Sequence, residues 1–288
     1  MIRSLTTQEA RDTKPRHGPI DAEPARIDTE PYQSPDGQSS IRQFPFAHDP
    51  YIGLPVLGVG MTGIVYESGQ DRVVKKARQL QLPDAGDAEY MNKINQQTLE
   101  NEIEVLERLG SCEGIIPYFK ISQYGIELAR AQEDLESYLE THPECEDTLK
   151  VEWILSLIQT FSYIHSCKVF VDDIALRNIL IIDNQLKVAD FGQSILLPLD
   201  ADITCTDEDG LNVQIEILHI GWIFYSSISW KVHKYYFFDA ENPDLCWPAS
   251  FPNVDDILCG RIIKKCWHGG YRSMDHLQHE ALELLVSH

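Results

Sequence analysis

The sequence predicts an α+β fold in which strand patterns dominate up to about residue 130 and helical patterns follow. The glycine-rich segment 57–66 and the apolar segment 72–76 both resemble strands. Further on, 148–165 repeats its apolar residues at helical spacing, and 213–230 is apolar enough for a buried helix. The second half also contains a short hairpin, in which the strand 179–182 returns through a turn at Asp183-Asn184-Gln185 into a second strand at 186–189.

Length, composition and charge narrow the class of protein. With 288 residues, of which 43% are hydrophobic, the chain can bury an ample core as one large domain or two lobes. Its formal net charge is -21 at pH 7, whereas a nucleic-acid-binding face must be basic to meet phosphates. We therefore expect no nucleic-acid partner, and we expect the protein partner of this chain to be basic.

The cellular compartment is predicted from signals that the sequence lacks. Its seven cysteines form no C-x-x-C pair and no zinc-ligand spacing, and the N-terminus carries no basic-then-apolar leader. No stretch has the apolar character of a transmembrane helix. We therefore expect a cytoplasmic or nuclear protein with reduced thiols and no membrane partner.

Residues 1–50 are predicted to form a disordered, proline-rich tail. Six prolines between Pro15 and Pro45 lie among polar and charged residues, and no hydrophobic period emerges. Such a composition cannot bury enough apolar surface to offset the chain entropy that folding removes. The predicted folded domain is therefore 51–288.

The glycine-rich segment carries the first chemical signal. Its pattern G-x-G-x-x-G is formed by Gly58, Gly60 and Gly63, but in a dinucleotide-binding fold the third glycine opens a helix. Here it leads into a strand, and the next predicted strand carries two lysines. Strand alternation directs Lys75 and Lys76 to opposite faces of that strand.

The remaining elements are predicted from apolar spacing and turn residues. We expect a polar loop over 82–95 and then a helix over 101–109, which carries Glu102. Thr148 is the predicted N-cap of the long helix. The other predicted elements are two strands within 115–129 around a turn at Gln123-Tyr124-Gly125, a short helix at 134–140, and final helices at 257–267 and 273–286.

Acidic and amide side chains flank the hairpin. Asp173 and Asn178 precede its first strand, and Asp190 follows its second strand. Closing the hairpin brings these side chains to the same end of the two strands, where their oxygen atoms suit a hard divalent cation. A loop with solvated acids would contain the same residue types, so the surrounding motifs must distinguish a cation site from an ordinary loop.

Around this hairpin the chain resembles the protein kinase family. Asp190-Phe191-Gly192 is the D-F-G of that family, and the loop before the hairpin is similar to its catalytic loop H-R-D-L-x-x-x-N. Asp173 and Asn178 match that loop, whereas Val171 and Asp172 replace its His and Arg.

Other motifs resemble the same family in the same order. The glycine-rich hairpin resembles the loop that covers the ATP phosphates, and Arg72-Val73-Val74-Lys75 resembles V-A-I-K. Glu216 to Gly221 resembles D-x-x-x-x-G with Glu in place of Asp, a change that puts the rigidity of the catalytic loop in question. Ile262 to Trp267 resembles I-I-x-K-C-W, and no A-P-E motif is found.

The resemblance implies a bilobal protein kinase-like fold over 51–288. It implies a small β-rich N-lobe at about 51–130, a mainly helical C-lobe at about 131–288, and a nucleotide between them. The implied cofactors are ATP and Mg²⁺, and the implied partner is a protein substrate. The segment 128–131 is then the hinge whose backbone holds adenine.

The resemblance also implies the roles of individual residues. Lys75, paired with Glu102, contacts the phosphates, and Asp173 accepts the proton of the substrate hydroxyl. Asn178 and Asp190 hold magnesium. The implied nucleotide contacts are Leu57, Gly58, Val59, Gly60, Met61, Thr62, Gly63, Val65, Val73, Lys75 and Leu180.

The function favoured by the resemblance is an ATP-dependent protein kinase that acts on serine or threonine. Ala175 stands where serine/threonine enzymes usually carry Lys, and Arg177 is similar to the Arg of the tyrosine-kinase motif D-L-A-A-R-N, so a tyrosine-directed enzyme stays open. A pseudokinase that binds ATP as a regulatory module also stays open because of Val171, Asp172, Glu216 and the missing A-P-E. A small-molecule kinase of related fold is the third alternative, and the oligomeric state is left open.

The same motifs lead to a prediction about regulation. In many kinases the Arg before the catalytic Asp receives a phosphate from the activation segment, but Asp172 would repel a group with nearly two negative charges. Thr204 and Thr206 of that segment also lie among acids, namely Asp200, Asp202, Asp207, Glu208 and Asp209. We therefore expect that activity needs no phosphate on this segment.

Phosphatase-treated protein and a Thr204→Ala, Thr206→Ala double variant should both transfer phosphate as fast as untreated wild-type protein. The measurement is the initial rate of transfer at saturating ATP. A loss of about tenfold or more, equivalent to about 1.4 kcal/mol of barrier, would contradict the prediction.

Overall fold

The structure, a computed structural model, describes residues 49–204, 212–233 and 250–285. These residues belong to one compact unit that spans 48–288. The predicted tail lies outside the described residues except for its last two positions, and Thr206 lies outside them as well.

The N-terminal part of the described chain is built on an antiparallel sheet of five strands. Its order is β1-β2-β3-β5-β4, as expected for an α+β fold whose first part is rich in strands. The strands are β1 (Val56–Val59), β2 (Gly63–Glu67), β3 (Arg72–Ala77), β4 (Tyr118–Ser122) and β5 (Gly125–Ala129). Both predicted pairs of strands are confirmed. Because β3 lies in the middle of the sheet, Lys75 is held between β2 and β5.

Helix α1 (Ala85–Leu109) packs beside this sheet and is longer than predicted. The prediction of a loop over 82–95 is wrong from Ala85 onward. Asp84 caps the helix by accepting hydrogen bonds from the N–H groups of Gly86 and Asp87. The first half of the helix lacks a hydrophobic period because polar side chains there bind main-chain atoms. The side-chain amides of Asn92 and Asn95 donate to the carbonyl oxygens of Leu80 and Arg78. Only the predicted second half of the helix packs mainly through apolar residues.

The C-terminal part is mainly helical, as predicted. Its helices are α2 (Leu135–Thr141), α3 (Asp147–Ser166), α4 (Val213–Ser229), α5 (Gly260–Trp267) and α6 (Met274–Leu285). Helix α4 is largely buried, as expected for the segment 213–230. Among the helices that the structure describes, none combines the length and the apolar character that a membrane span requires.

Helix α3 forms the core of this part, but its predicted N-cap is wrong. The helix begins at Asp147 after Glu146, so Thr148 lies inside the first turn, and no side chain caps the start. Burial of the apolar face fixes the helix instead. That face includes Trp153, Leu157, Phe161 and Ile164, which follow the helical spacing expected for 148–165 and are all at most 2% exposed.

Five short strands complete the described sheet structure and carry the loops of the site. They are β6 (Glu133–Asp134), β7 (Val169–Phe170), β8 (Ile179–Ile182), β9 (Gln185–Val188) and β10 (Ile195–Leu196). The predicted hairpin is β8-β9, and its turn is one residue shorter than expected because Gln185 already pairs with Ile182. Asp183 and Asn184 form that turn with φ values of 51° and 61°, which Asp and Asn tolerate.

The hairpin is tied to the segment before β4. Ile116 donates its N–H to the carbonyl oxygen of Val188 over 3.0 Å, and the N–H of Val188 donates to the carbonyl oxygen of Gly114 over 2.8 Å. These two bonds link the helical part to the N-terminal part. They bring Asp190, two residues after Val188, to the mouth of the cleft between them.

Gly125 is the glycine whose replacement we expect to disturb the central sheet most. Its φ is +147°, and a Cβ atom there would lie 2.3 Å from the carbonyl oxygen of Lys75. Gly125→Ala should cost about 1 to 3 kcal/mol through backbone strain and about as much again through the clash.

Gly69→Ala is the matched control, because Gly69 has a φ of +120° but no atom of the described residues within 4 Å of the position that a Cβ would occupy. It should show the strain alone. Urea unfolding gives both losses in free energy, and equal losses would show that the clash at Lys75 carries no cost.

Candidate active site

A cleft of about 1080 Å³ lies between the sheet and the helical part. Most of the predicted site residues line it. These are Leu57, Gly58, Gly60, Met61, Thr62, Gly63, Val65, Val73, Lys75, Glu102, Asp173, Asn178, Leu180 and Asp190, together with the predicted hinge 128–131. Val59, which is 60% exposed, is not among the residues that line the cleft.

Lys75 is the cation at the centre of the cleft. Its Nζ lies 2.6 Å from Oε2 of Glu102 and 2.9 Å from Oδ1 of Asp190. Lys76 lies on the opposite face of β3, where it pairs with Asp49, and its Nζ lies 5.7 Å from the centre of the Tyr66 ring. The alternation expected for this strand therefore holds, and Lys75 is the lysine that enters the cleft.

Burial governs the electrostatics of this group. Glu102 is 1% exposed, and burial raises the pKa of its carboxyl group, while the nearby Lys75 opposes that shift. Burial acts to lower the pKa of Lys75, but the carboxylates of Glu102 and Asp190 outweigh it and hold that pKa above its ordinary value. Each charge in this group therefore depends on the others.

The chain around Asp190 is also tightly held. Asp190 has a φ of 61°, a left-handed conformation that an aspartate adopts at some cost. Phe191 is fully buried beside it, and Asp190 itself is half-exposed toward the cleft. The carboxylate of Asp190 is thus accessible to a ligand while its backbone is fixed.

A second acidic group lies on the loop before β8. The amide nitrogen of Asn178 donates to the carbonyl oxygen of Asp173 over 2.9 Å and to its Oδ2 over 3.0 Å. Because its nitrogen is used in this way, the amide oxygen of Asn178 is the atom left for a cation. The N–H of Ala189 donates to the carbonyl oxygen of Asn178 over 2.9 Å, which closes the base of the hairpin beside Asp190.

Arg177 was noted in the sequence but not as a site residue, yet it holds the carboxylate of Asp173. Its Nη2 lies 2.6 Å from each carboxylate oxygen. Arg177 lines the cleft and is about half-exposed. Asp173 and Arg177 lie four residues apart, and a short 3₁₀ turn (Leu176–Asn178) brings them together. The contact is visible only in the folded loop.

Glu216 of helix α4 anchors the start of the loop that carries Asp173. Its Oε1 accepts a hydrogen bond from the N–H of Val171 over 2.6 Å, and its Oε2 lies 2.9 Å from Nε2 of His165. Burial raises the pKa of Glu216, and pairing with His165 opposes that shift. The replacement of Asp by Glu therefore leaves the loop anchored, which answers the question that the sequence raised.

His165 was missed because nothing in its sequence context indicates a role. It lies at the end of α3, 51 residues before its partner, and packs edge-on against Phe170 at 5.9 Å between ring centres. Thr98, Ile116 and Ala189 also line the cleft and were missed. Each reaches it only through packing between distant parts of the chain.

The oxygen donors fit a magnesium ion that is shared with a phosphate-bearing ligand. No cluster of three or more His, Cys, Asp or Glu residues capable of holding a metal occurs among the described residues. Mg²⁺ is commonly held by one or two carboxylates, with phosphate oxygens and waters completing its shell. Asp190 and the amide oxygen of Asn178 suit that mode, and Lys75 adds a cation for the phosphates.

Comparison with known proteins gives the family. A family model described as protein kinase domain matches residues 51–208. Human testis-specific serine/threonine-protein kinase 4 is 27% identical over 158 residues, which cover 52% of this chain and 46% of that protein. The chain thus spans about half the length of this relative. With the β-rich first part, the helical second part and the cleft between them, these matches show that the chain belongs to the protein kinase family.

Proposed function

We propose that this chain is an ATP-dependent protein kinase that transfers the γ-phosphoryl group to serine or threonine hydroxyls of a protein. The observation that carries the proposal is the ion-paired group of Lys75, Glu102 and Asp190 in the same cleft as Asp173. The name of the human relative supports serine and threonine as acceptors. The net charge of -21 supports a substrate with a basic region.

The cleft suggests how ATP would be bound. Gly58, Gly60 and Gly63 carry no side chain that would keep phosphates away from the backbone of the β1-β2 turn, and Lys75 offers a charge to the same groups. The N–H of Gly60 is used within the turn, where it donates to the carbonyl oxygen of Gly63 over 2.8 Å. Val65 and Val73 from the sheet and Leu180 from β8 would enclose the adenine. Asn178 and Asp190 would hold Mg²⁺, which neutralises phosphate charge when it is bound.

Asp173 is the proposed base for the acceptor hydroxyl. Its carboxylate accepts hydrogen bonds from Arg177 at both oxygens and from Asn178 at one. Because a carboxylate offers about four lone-pair positions, a substrate hydroxyl can still donate to it. Catalysis then rests on positioning and charge, as is usual in phosphoryl transfer.

A pseudokinase is the second candidate because Val171 and Asp172 replace the His and Arg of the catalytic loop.

The first experiment measures Mg²⁺-dependent transfer from ATP to a generic basic protein, with metabolite acceptors in parallel. Transfer to the protein supports the proposal, and transfer to a metabolite alone supports a small-molecule kinase. ATP binding without any turnover supports the pseudokinase.

Lys75→Met should lower the rate of transfer about 100-fold, since a preorganised charge for the phosphates is lost. It also leaves Glu102 buried without its cation, so the free energy of unfolding should fall by about 3 to 5 kcal/mol, and rates are compared at a temperature at which the variant is folded. Lys76→Met is the matched control, because the neighbouring lysine lies on the other face of β3 and pairs with Asp49. Initial rates and circular dichroism test both variants. Loss of activity in Lys76→Met with retention in Lys75→Met would overturn the assignment of the two lysines.

Asp173→Asn should lower the rate about 100-fold or more and leave ATP affinity unchanged, because an amide cannot accept the hydroxyl proton. Asp190→Asn should instead weaken Mg²⁺-dependent ATP binding. Calorimetric titration with and without Mg²⁺ separates the two effects. Full turnover in Asp173→Asn would show that another group is the base.

A further inference from the structure

The segment that follows Phe191, residues 192–197, is bound by two side chains of helix α1. The amide nitrogen of Asn101 donates to the carbonyl oxygens of Gly192, over 3.0 Å, and Ser194, over 2.8 Å. These two bonds use both hydrogens of the amide. Asn101 directly precedes Glu102, so the segment is bound next to the carboxylate that pairs with Lys75.

Arg108 binds the far end of the same segment. Its Nη1 donates to the carbonyl oxygen of Leu197 over 2.6 Å. Arg108 lies seven residues after Asn101, which is two helical turns, so both side chains lie on the same side of α1. The helix therefore holds both ends of residues 192–197.

The opposite side of the segment is bound to the stem of the catalytic loop. Ile195 and Leu196 pair with Phe170 and Val169 of β7, and the N–H of Leu197 donates to the carbonyl oxygen of Lys168 over 2.9 Å. The next residue after β7 is Val171, whose N–H is bound by Glu216. Hydrogen bonds thus run from α1 through residues 192–197 to the loop that carries Asp173.

Close packing at Gly192 is an independent sign that the segment is fitted to α1. A Cβ atom at Gly192 would lie 2.5 Å from Cγ2 of Thr98 and 3.3 Å from its carbonyl oxygen. Thr98 lies one turn before Asn101 on the helix. The segment approaches the helix more closely there than any residue with a side chain allows.

We propose that Asn101 and Arg108 are positioning residues that hold residues 192–197 between α1 and β7, and so keep Lys75, Glu102 and Asp190 assembled without a phosphate. The acceptors of these bonds are main-chain carbonyl oxygens, which are present whether or not Thr204 or Thr206 is phosphorylated. The bond from Arg108 is charge-assisted and therefore among the stronger ones. The role in transfer rests on the proposed kinase function, whereas the ordering of the segment does not.

The test uses the full chain and four variants. Asn101→Ala and Arg108→Ala remove the bonds, and Arg108→Lys keeps a cationic donor for Leu197. Gln96→Ala is the control, because Gln96 is exposed on α1 and, within the part of the chain that the structure describes, its amide bonds only to Glu100 of the same helix. Each protein is treated with phosphatase, and its kcat, its KM for ATP and its hydrogen–deuterium exchange are measured.

We expect exchange in residues 192–197 to rise about tenfold in each alanine variant, because the segment opens more often once two bonds to its carbonyl oxygens (Asn101→Ala) or one such bond (Arg108→Ala) are lost. Exchange in the core of α3 should stay unchanged, which separates local opening from global destabilisation. The kcat should fall about tenfold with a smaller change in KM, since the assembled arrangement is populated less often. Arg108→Lys should recover most of both effects, and Gln96→Ala should resemble wild-type protein.

Unchanged exchange in both alanine variants overturns the proposal, as does faster exchange with an unchanged kcat. A phosphatase-treated wild-type protein at least about tenfold slower than the untreated one overturns the phosphate-independent part. If the wild-type protein transfers no phosphate, the proposed function fails, and the exchange measurements still decide whether Asn101 and Arg108 order the segment.

Discussion

The ion pair between Lys75 and Glu102 is the interaction on which the cleft depends. Glu102 has almost no exposure, and an unpaired carboxylate at such a depth would cost several kcal/mol. Docking of helix α1 on the sheet is therefore favoured where β3 presents Lys75 to it. Lys75 also contacts Asp190, so the position of the chain that follows β9 depends on the same lysine. Three elements that are distant in sequence are thus aligned by one small set of charges, which also leaves Lys75 and Asp190 facing the cleft.

A second buried carboxylate, Glu216, holds the catalytic loop in place. It accepts the N–H of Val171 and pairs with His165, so its oxygens are satisfied by one main-chain group and one imidazole. The loop has lost the His and Arg of the family's motif, and its stem is held instead from α4 and the end of α3. Above the stem, Arg177 and Asn178 fix the carboxylate of Asp173. The replacement of that His and Arg by Val171 and Asp172 therefore leaves the stem of the loop anchored.

Much of this arrangement could be predicted from the sequence, and the exceptions have a common cause. Alternation along β3 separates Lys75 from Lys76, and the apolar period of 101–109 gives the helix that carries Glu102. The first half of α1 was missed because Asn92 and Asn95 bind backbone and leave no hydrophobic period. Arg177 and His165 were missed because their contacts with Asp173 and Glu216 form only in the folded chain. Thr148 fits the composition of a cap, but burial of α3 sets where that helix begins.

The turn at Asp183 and Asn184 has a consequence for how the chain can change in length. Hydrogen bonding between Ala189 and Asn178 closes the other end of the hairpin, and the register between these ends is continuous. A residue inserted in the turn would shift that register and direct the side chains of β9 to the opposite face. Surface turns usually tolerate insertions. This one lies at the other end of the hairpin from Asn178 and Asp190, yet its length determines whether these two residues can share a cation.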